Sequence, residues 1–340
     1  MLTVFPELNS TETKDAKLEG EEENIVTLQI DYLEDVKVGR VWKTFGVRYF
    51  FDRFCVGAQG KLPVMIKFMS NEFIQKHFHE GIEEQLSELI AKLKTVQHSN
   101  ILSFHGLIQH ENQIGLVIAF PKLNLCDWLE NEADEYHHAS LPDPEKIFLA
   151  NISVDVNDAI IHAHENNWVI GRLSAQHVFL SYNFQNEKLE GIVDVYSAIS
   201  ICQVLSQLCK CKIAKSVKIS PLNYSYCSPE VLLRRKFTAR SDVWCFGIFL
   251  WEVWNLGATP YLSILDERSP ESIQAFVDFI CQPNSKKLSL SHDEDINKVI
   301  AQCQLITPKS RITPHQVQQI LQQKLKTLEQ QTNTEEETDP

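Results

Sequence analysis

SDVWCFGIFLWEVWNLGATPY, residues Ser241–Tyr261, reads as one buried helix and the turn that ends it. Its apolar residues (Val243, Trp244, Phe246, Ile248, Phe249, Leu250, Val253, Leu256) surround the helix instead of keeping to one stripe. A helix that is apolar all round belongs in the middle of a large core. Ser241 reads as its N-cap, Asp242 suits the first turn, and Gly257 is placed to stop it. Glu252 and Asn255 interrupt it, and no apolar run in the chain reaches the ~18 residues that a membrane span needs.

Outward from this helix, 340 residues suffice for one large core or two smaller ones. With 44% hydrophobic and 23% charged residues the composition is that of a globular protein, and a net charge of −13 argues against nucleic acid or an anionic membrane as the main partner. Nine cysteines are scattered through apolar patterns with no signal peptide ahead of them, so reduced thiols and a cytoplasmic location are expected. Cys209-x-Cys211 lacks the second pair that a zinc site would need.

Residues 1–30 carry Glu21-Glu22-Glu23 and no sustained apolar period, and read as a disordered acidic arm; residues 329–340 read as a tail of the same kind. Between them the pattern switches once. Strand-like runs come first, at Asp35–Trp42, Val47–Val56, Val64–Phe68, Ile101–Ile108 and Gly115–Phe120, with one helical stretch, Glu72–Thr95. After Pro121 the text is mainly helical, at Cys126–Glu130, Pro144–Asn166, Ser241–Asn255, Ser272–Cys281, Asp293–Cys303 and Pro314–Leu328.

These texts, in this order, resemble the tyrosine-kinase type of protein-kinase domain. The central helix is similar to D-V-W-S-F-G-x-x-L-W-E ending in G-x-x-P-Y, and Val64-Met-Ile-Lys67 to the V-A-I-K strand. Gln85-Leu-Ser-Glu88 resembles the helix that supplies the lysine's carboxylate partner. Leu116-Val-Ile-Ala119 resembles the strand leading to a small gatekeeper, Ala119, with Phe120 beginning the hinge. Ser228-Pro-Glu230 looks like A-P-E, and the segment ending at Arg311 like C-W-x(6)-R-P; the resemblance makes Glu230 and Arg311 a buried structural ion pair. It implies an α+β, bilobal fold. Residues 31–121 would form a small lobe of five antiparallel strands and one helix, and residues 122–328 a mainly helical large lobe.

Phosphoryl transfer needs positioned phosphates, Mg²⁺ to neutralise charge, and a carboxylate to orient the attacking hydroxyl. Against those requirements the chain departs from the family. Val38–Tyr49 keeps Gly39 and Gly46 away from G-x-G-x-x-G spacing, and Trp42, Lys43 and Phe45 crowd the phosphate roof. The family text H-R-D-L-A-A-R-N-V-L falls on Ile170-Gly-Arg-Leu-Ser-Ala-Gln-His-Val-Phe179 without a gap. Arg172 stands at the catalytic aspartate position and cannot accept a proton; His177 stands at the metal-binding asparagine position and suits Mg²⁺ poorly. Asp194-Val195-Tyr196 takes the place of D-F-G, so Asp194 is either a weak Mg²⁺ ligand or a solvated strand-end carboxylate.

What survives of a nucleotide site is Lys67, Glu88, Ala119, Phe120 and Asp194, so weak ATP binding, with Mg²⁺ if any, is the most that is implied. Lys67 and Glu88 are expected to pair and hold the helix inward, and Arg172 to meet Asp194 directly or through water. Lys210, Lys212, Lys215 and Lys218 after Ser197 suit an acidic partner or form a solvated loop. The expectation is a pseudokinase acting as a scaffold or allosteric module among signalling proteins, an active kinase among them, with no nucleic acid and no membrane insertion. An unconventional weak kinase and a nucleotide-sensing switch are the alternatives.

Overall fold

The computed structural model describes residues 30–44, 50–77, 82–121, 123–135, 141–208, 221–266, 268–282, 288 and 293–336. The amino-terminal part is one antiparallel sheet in the order β1-β2-β3-β5-β4, made of β1 (Val36–Thr44), β2 (Phe51–Gln59), β3 (Leu62–Met69), β4 (Phe104–His110) and β5 (Gln113–Ala119). Between β3 and β4 lie α1 (Asn71–His77) and α2 (Ile82–Thr95). The helix expected over Glu72–Thr95 is therefore two helices, with residues 78–81 outside the described ones.

β3 shows why Lys67 points where it does. Side chains alternate across a strand. Val64, Ile66 and Phe68 fill a small cluster on the outer face, covered by Leu33, Val36 and Val38. Met65 and Met69 face the main core, and Lys67, on their side, is carried into the junction between the lobes.

The remainder is mainly helical: α3 (Leu125–Glu135), α4 (Asp143–Glu165), α5 (Ala198–Leu208), α6 (Pro229–Arg234), α7 (Ala239–Trp254), α8 (Pro270–Cys281), α9 (Glu294–Cys303) and α10 (Pro314–Glu336). A small sheet of β6 (Leu123–Asn124), β7 (Val178–Asn183) and β8 (Lys188–Val193) sits at the junction. α10 runs on to Glu336, past the Leu328 at which the sequence reading ends the folded chain.

α7 is the buried central helix, with Val243 through Leu250 all inside. Its cap is one turn earlier than the sequence suggests: Thr238 is the N-cap, and Ser241 completes a capping box with it. Leu256 and Gly257 take positive φ values of 50° and 79° to end the helix, and the Gly257 N–H bonds the Glu252 carbonyl. One continuous apolar cluster runs from Leu89 and Leu116 through Val178 and Val195 to Phe249, so the two lobes share a core.

Candidate nucleotide cleft

Lys67 is almost wholly buried, and its partner is Asp194, not Glu88. Lys67 Nζ lies 2.5 Å from Asp194 Oδ2 and donates to the Tyr196 carbonyl at 3.1 Å. The Phe51 and Phe54 rings lie 5.9 and 5.3 Å from the ammonium. Burial pulls the Lys67 pKa below its ordinary value and nearby Arg172 adds to that, while Asp194 opposes both. Asp194 Oδ1 accepts from the Tyr196 N–H at 3.0 Å. Asp194 is thus a buried ion-pair partner, not a solvated strand-end carboxylate.

The expected Lys67–Glu88 pair fails for a reason written in α2. Leu86, Leu89, Leu93 and Val96 recur at helical spacing and are buried, which turns Glu88 to solvent. On the inward side Gln85 buries its amide, leaving Oε1 without a partner. Lys92 reaches across to the Asn166 carbonyl at the end of α4 (2.5 Å) and links the lobes. α5, formed by the residues directly after Tyr196, packs against α2. The four lysines expected to meet an acidic partner lie outside the described residues, as does Gly46.

Tyr196 explains how the junction closes. Its ring is fully buried and packs edge-on to Trp168 (6.4 Å between centroids) and tilted against Phe104 (6.3 Å). Its hydroxyl accepts from Gln97 Nε2 at 3.1 Å, and burial raises its pKa. A glycine here would leave that space to be filled by something else.

The loop carrying Arg172 is held from below by α7. Asp242 accepts from the Ile170 and Gly171 N–H groups, both at 2.9 Å, and lies 3.0 Å from His164 Nε2. Gly171 has φ +69°, and a Cβ there would come within 2.4 Å of Ile199 Cγ2, so α5 fits against the loop only because this residue has no side chain. Arg172 acts on Asp194 through charge but makes no ion pair with it; the two carboxylate oxygens bond Lys67 and the Tyr196 N–H. The expected direct Arg172–Asp194 contact is therefore not formed. Arg172 Nε is buried without a hydrogen-bond partner.

His177 lies beside the same centre, its Nδ1 2.8 Å from Ser174 Oγ. Its pKa is held well below the ordinary value, first by burial and then by Arg172, Lys67 and Lys43. A neutral ring among cations is a poor Mg²⁺ ligand, and the Asp194 charge is already offset by the Lys67 ammonium, with its other oxygen bonded by the Tyr196 N–H. Among the described residues no group of three or more His, Cys, Asp or Glu could hold a metal. The residues present do not fit a bound Mg²⁺.

On the opposite side of the cleft, the Trp42 ring of β1 lies 6.3 Å from the Phe120 ring, which follows Ala119 at the end of β5. An aromatic pair spanning from β1 to the hinge narrows the slot that a flat base would enter. Gly39 cannot open it: a Cβ there would meet the Val56 carbonyl at 2.5 Å, so its job is strand packing.

Away from the cleft, Arg311 and Glu230 form the expected pair, with Nη1–Oε1 at 2.6 Å and Nη2–Oε2 at 2.8 Å. Arg311 also lies 5.1 Å from the Trp244 ring. The sequence reading missed Glu252, which accepts from the Ala175 N–H at 2.8 Å and bonds Tyr226. Burial raises its pKa to about 7. A carboxylate inside an otherwise apolar helix was the available signal.

A five-stranded lobe over a helical lobe, joined at Phe120 and braced by an acid in α7, defines a protein-kinase domain. A family model described as protein tyrosine and serine/threonine kinase matches residues 34–321, and the chain belongs to that family. It is 24% identical over 220 residues to fibroblast growth factor receptor 1 of Dugesia japonica, covering 63% of this chain and 23% of that protein. Protein-tyrosine kinase 6 of Mus musculus is 25% identical over 258 residues, covering 73% and 51%. Activated Cdc42 kinase Ack of Drosophila melanogaster is 21% identical over 252 residues, covering 74% and 21%. The chain thus aligns with about half or less of the length of each of these relatives. No helix among the described residues is long and apolar enough to cross a membrane.

Proposed function

We propose that this kinase domain is a pseudokinase that works by binding other signalling proteins, an active kinase among them, in the cytoplasm. The observation that carries the reading is the set of charges in the cleft. Arg172 stands where a proton acceptor is required, and Asp194, the carboxylate left beside it, is consumed by Lys67 and the Tyr196 N–H. A guanidinium cannot take the hydroxyl proton, and a carboxylate paired with a buried lysine is a weakened ligand for Mg²⁺. The shared core and the Lys92 and Tyr196 links favour a rigid body that presents the exposed face of α2 to partners.

The test is direct. The purified chain is incubated with radiolabelled ATP and Mg²⁺, alone and with a poly-Glu/Tyr polymer, and no transfer is expected. Robust transfer that follows the chain through gel filtration would overturn the reading. A second reading, a nucleotide-sensing switch, is favoured by the cations Lys43, Lys67 and Arg172 acting on His177. It requires a melting-temperature rise with ATP that does not depend on Mg²⁺, and no rise is expected while Trp42 and Phe120 span the slot.

A further inference from the structure

Behind the cleft, Arg172 lines a small enclosed cavity together with Gly171, Phe237, Cys227 and Cys245. The space open to the centre of a water-sized sphere is about 20 Å³, room for about one water or a molecule little larger. Two thiols therefore share one small void with a cation. Cys245 Sγ lies 3.1 Å from the Tyr226 carbonyl oxygen. A carbonyl oxygen is about 2.8 Å from the next Cα along the chain, which places the Cys245 sulfur within about 6 Å of the Cys227 Cα. The Cys245 sulfur and the Cys227 backbone are thus neighbours, and a disulfide, whose Cα atoms lie about 4.4–6.8 Å apart, would close by side-chain rotation and a shift of the chain ahead of α6. Arg172 and Cys227 line the same cavity, and a cation beside a thiol is the setting that favours a thiolate, whereas burial pushes the Cys245 thiol well up.

We infer that Cys227 and Cys245 are an oxidisable pair, converted to a disulfide by a peroxide that enters the cavity, with Arg172 activating Cys227. The Cys227 thiolate attacks one peroxide oxygen, the O–O bond breaks, and the leaving hydroxide takes the Cys245 proton and departs as water. Cys227 is then a sulfenic acid, oxidised by two electrons. The Cys245 sulfur attacks it, the S–O bond breaks, and the hydroxide released is protonated to a second water. The product ties the chain entering α6 to the central helix α7 covalently, where the reduced protein has the Cys245–Tyr226 hydrogen bond. This goes beyond the scaffold reading and does not depend on it.

The full chain, purified reduced, is treated with hydrogen peroxide, blocked with N-ethylmaleimide and digested without reductant. Mass spectrometry is expected to find the Cys227 and Cys245 peptides linked and two hydrogens lighter than their sum, separating on reduction. Cys245→Ser is expected to stop Cys227 at the sulfenic acid, trapped by dimedone. Arg172→Gln is expected to slow Cys227 oxidation several-fold. Should that variant not fold, the pH profile of Cys227 oxidation in the wild type replaces it: a midpoint below the ordinary thiol value of about 8.5 supports the activating role, and one at or above it removes that role. Recovery of both cysteines as maleimide adducts after peroxide, or pairing of Cys227 with a different cysteine, overturns the inference.

Discussion

Lys67→Met is the substitution that silences an active kinase; here it is expected to damage the fold. The side chains of Lys67 and Asp194 are only 3% and 11% exposed. Removing the ammonium leaves a buried carboxylate whose remaining hydrogen-bond donor is the Tyr196 N–H. Breaking a buried pair from one side costs about 3–5 kcal/mol. Arg172 lies near enough to compensate in part, which places the expected cost at the lower end, about 3 kcal/mol. For a domain of this size that is a fall in Tm of about 6–12 °C. Urea unfolding followed by tryptophan fluorescence reads the free energy directly.

Two companions make the result decisive. Lys67→Met with Asp194→Asn keeps an acceptor for Tyr196 and removes the stranded charge, so it should regain at least half of the loss. Glu88→Ala, on an exposed side chain, should change stability by less than about 0.5 kcal/mol. A Lys67→Met protein that melts within about 2 °C of wild type would refute the reasoning. So would a double variant no more stable than the single one, or a Glu88→Ala variant as damaged as Lys67→Met.

Three further outcomes are expected. Glu252 titrates near 7 when folded against 4.5 as the ordinary value, so the stability it lends is full below about pH 4.5 and is lost as pH rises through 7. Glu252→Gln should therefore gain about 3 kcal/mol relative to wild type between those limits, checked by urea unfolding at several pH values. Gly171→Ala forces a side chain into a left-handed residue and against Ile199, and should cost about 1–3 kcal/mol and loosen α5, read by hydrogen exchange. Tyr196→Phe should lose only the Gln97 bond, about 1 kcal/mol, whereas Tyr196→Ala opens a cavity and should cost about 3–5 kcal/mol in the same unfolding assay.

Much of the fold was legible because its signals are local. The all-round apolar text of Ser241–Tyr261 marks a central helix, and the switch from strand runs to helical periods marks two lobes. The resemblance of Ser228-Pro-Glu230 and of the segment ending at Arg311 to family motifs paired Glu230 with Arg311. The Lys67 partner was read wrongly because the resemblance of Gln85-Leu-Ser-Glu88 to the family helix pointed to Glu88. The leucines at 86, 89 and 93, buried at helical spacing, turned that carboxylate outward. The same leucines were in the sequence, and weighing their period above the motif would have warned of it. The cap at Thr238, one turn before Ser241, was missed because either residue satisfies the capping pattern.

The amino-acid sequence alone names the groups available to the cleft: an arginine at position 172, a histidine at 177, a lysine at 67 and acids at 88 and 194. It could not say which of them meet, since that depends on how α2 rotates and on what fills the space behind Asp194. Tertiary packing decided it. Tyr196 and the α2 leucines take the buried volume, and a charge left in such a place must find the nearest opposite charge, which for Lys67 is Asp194.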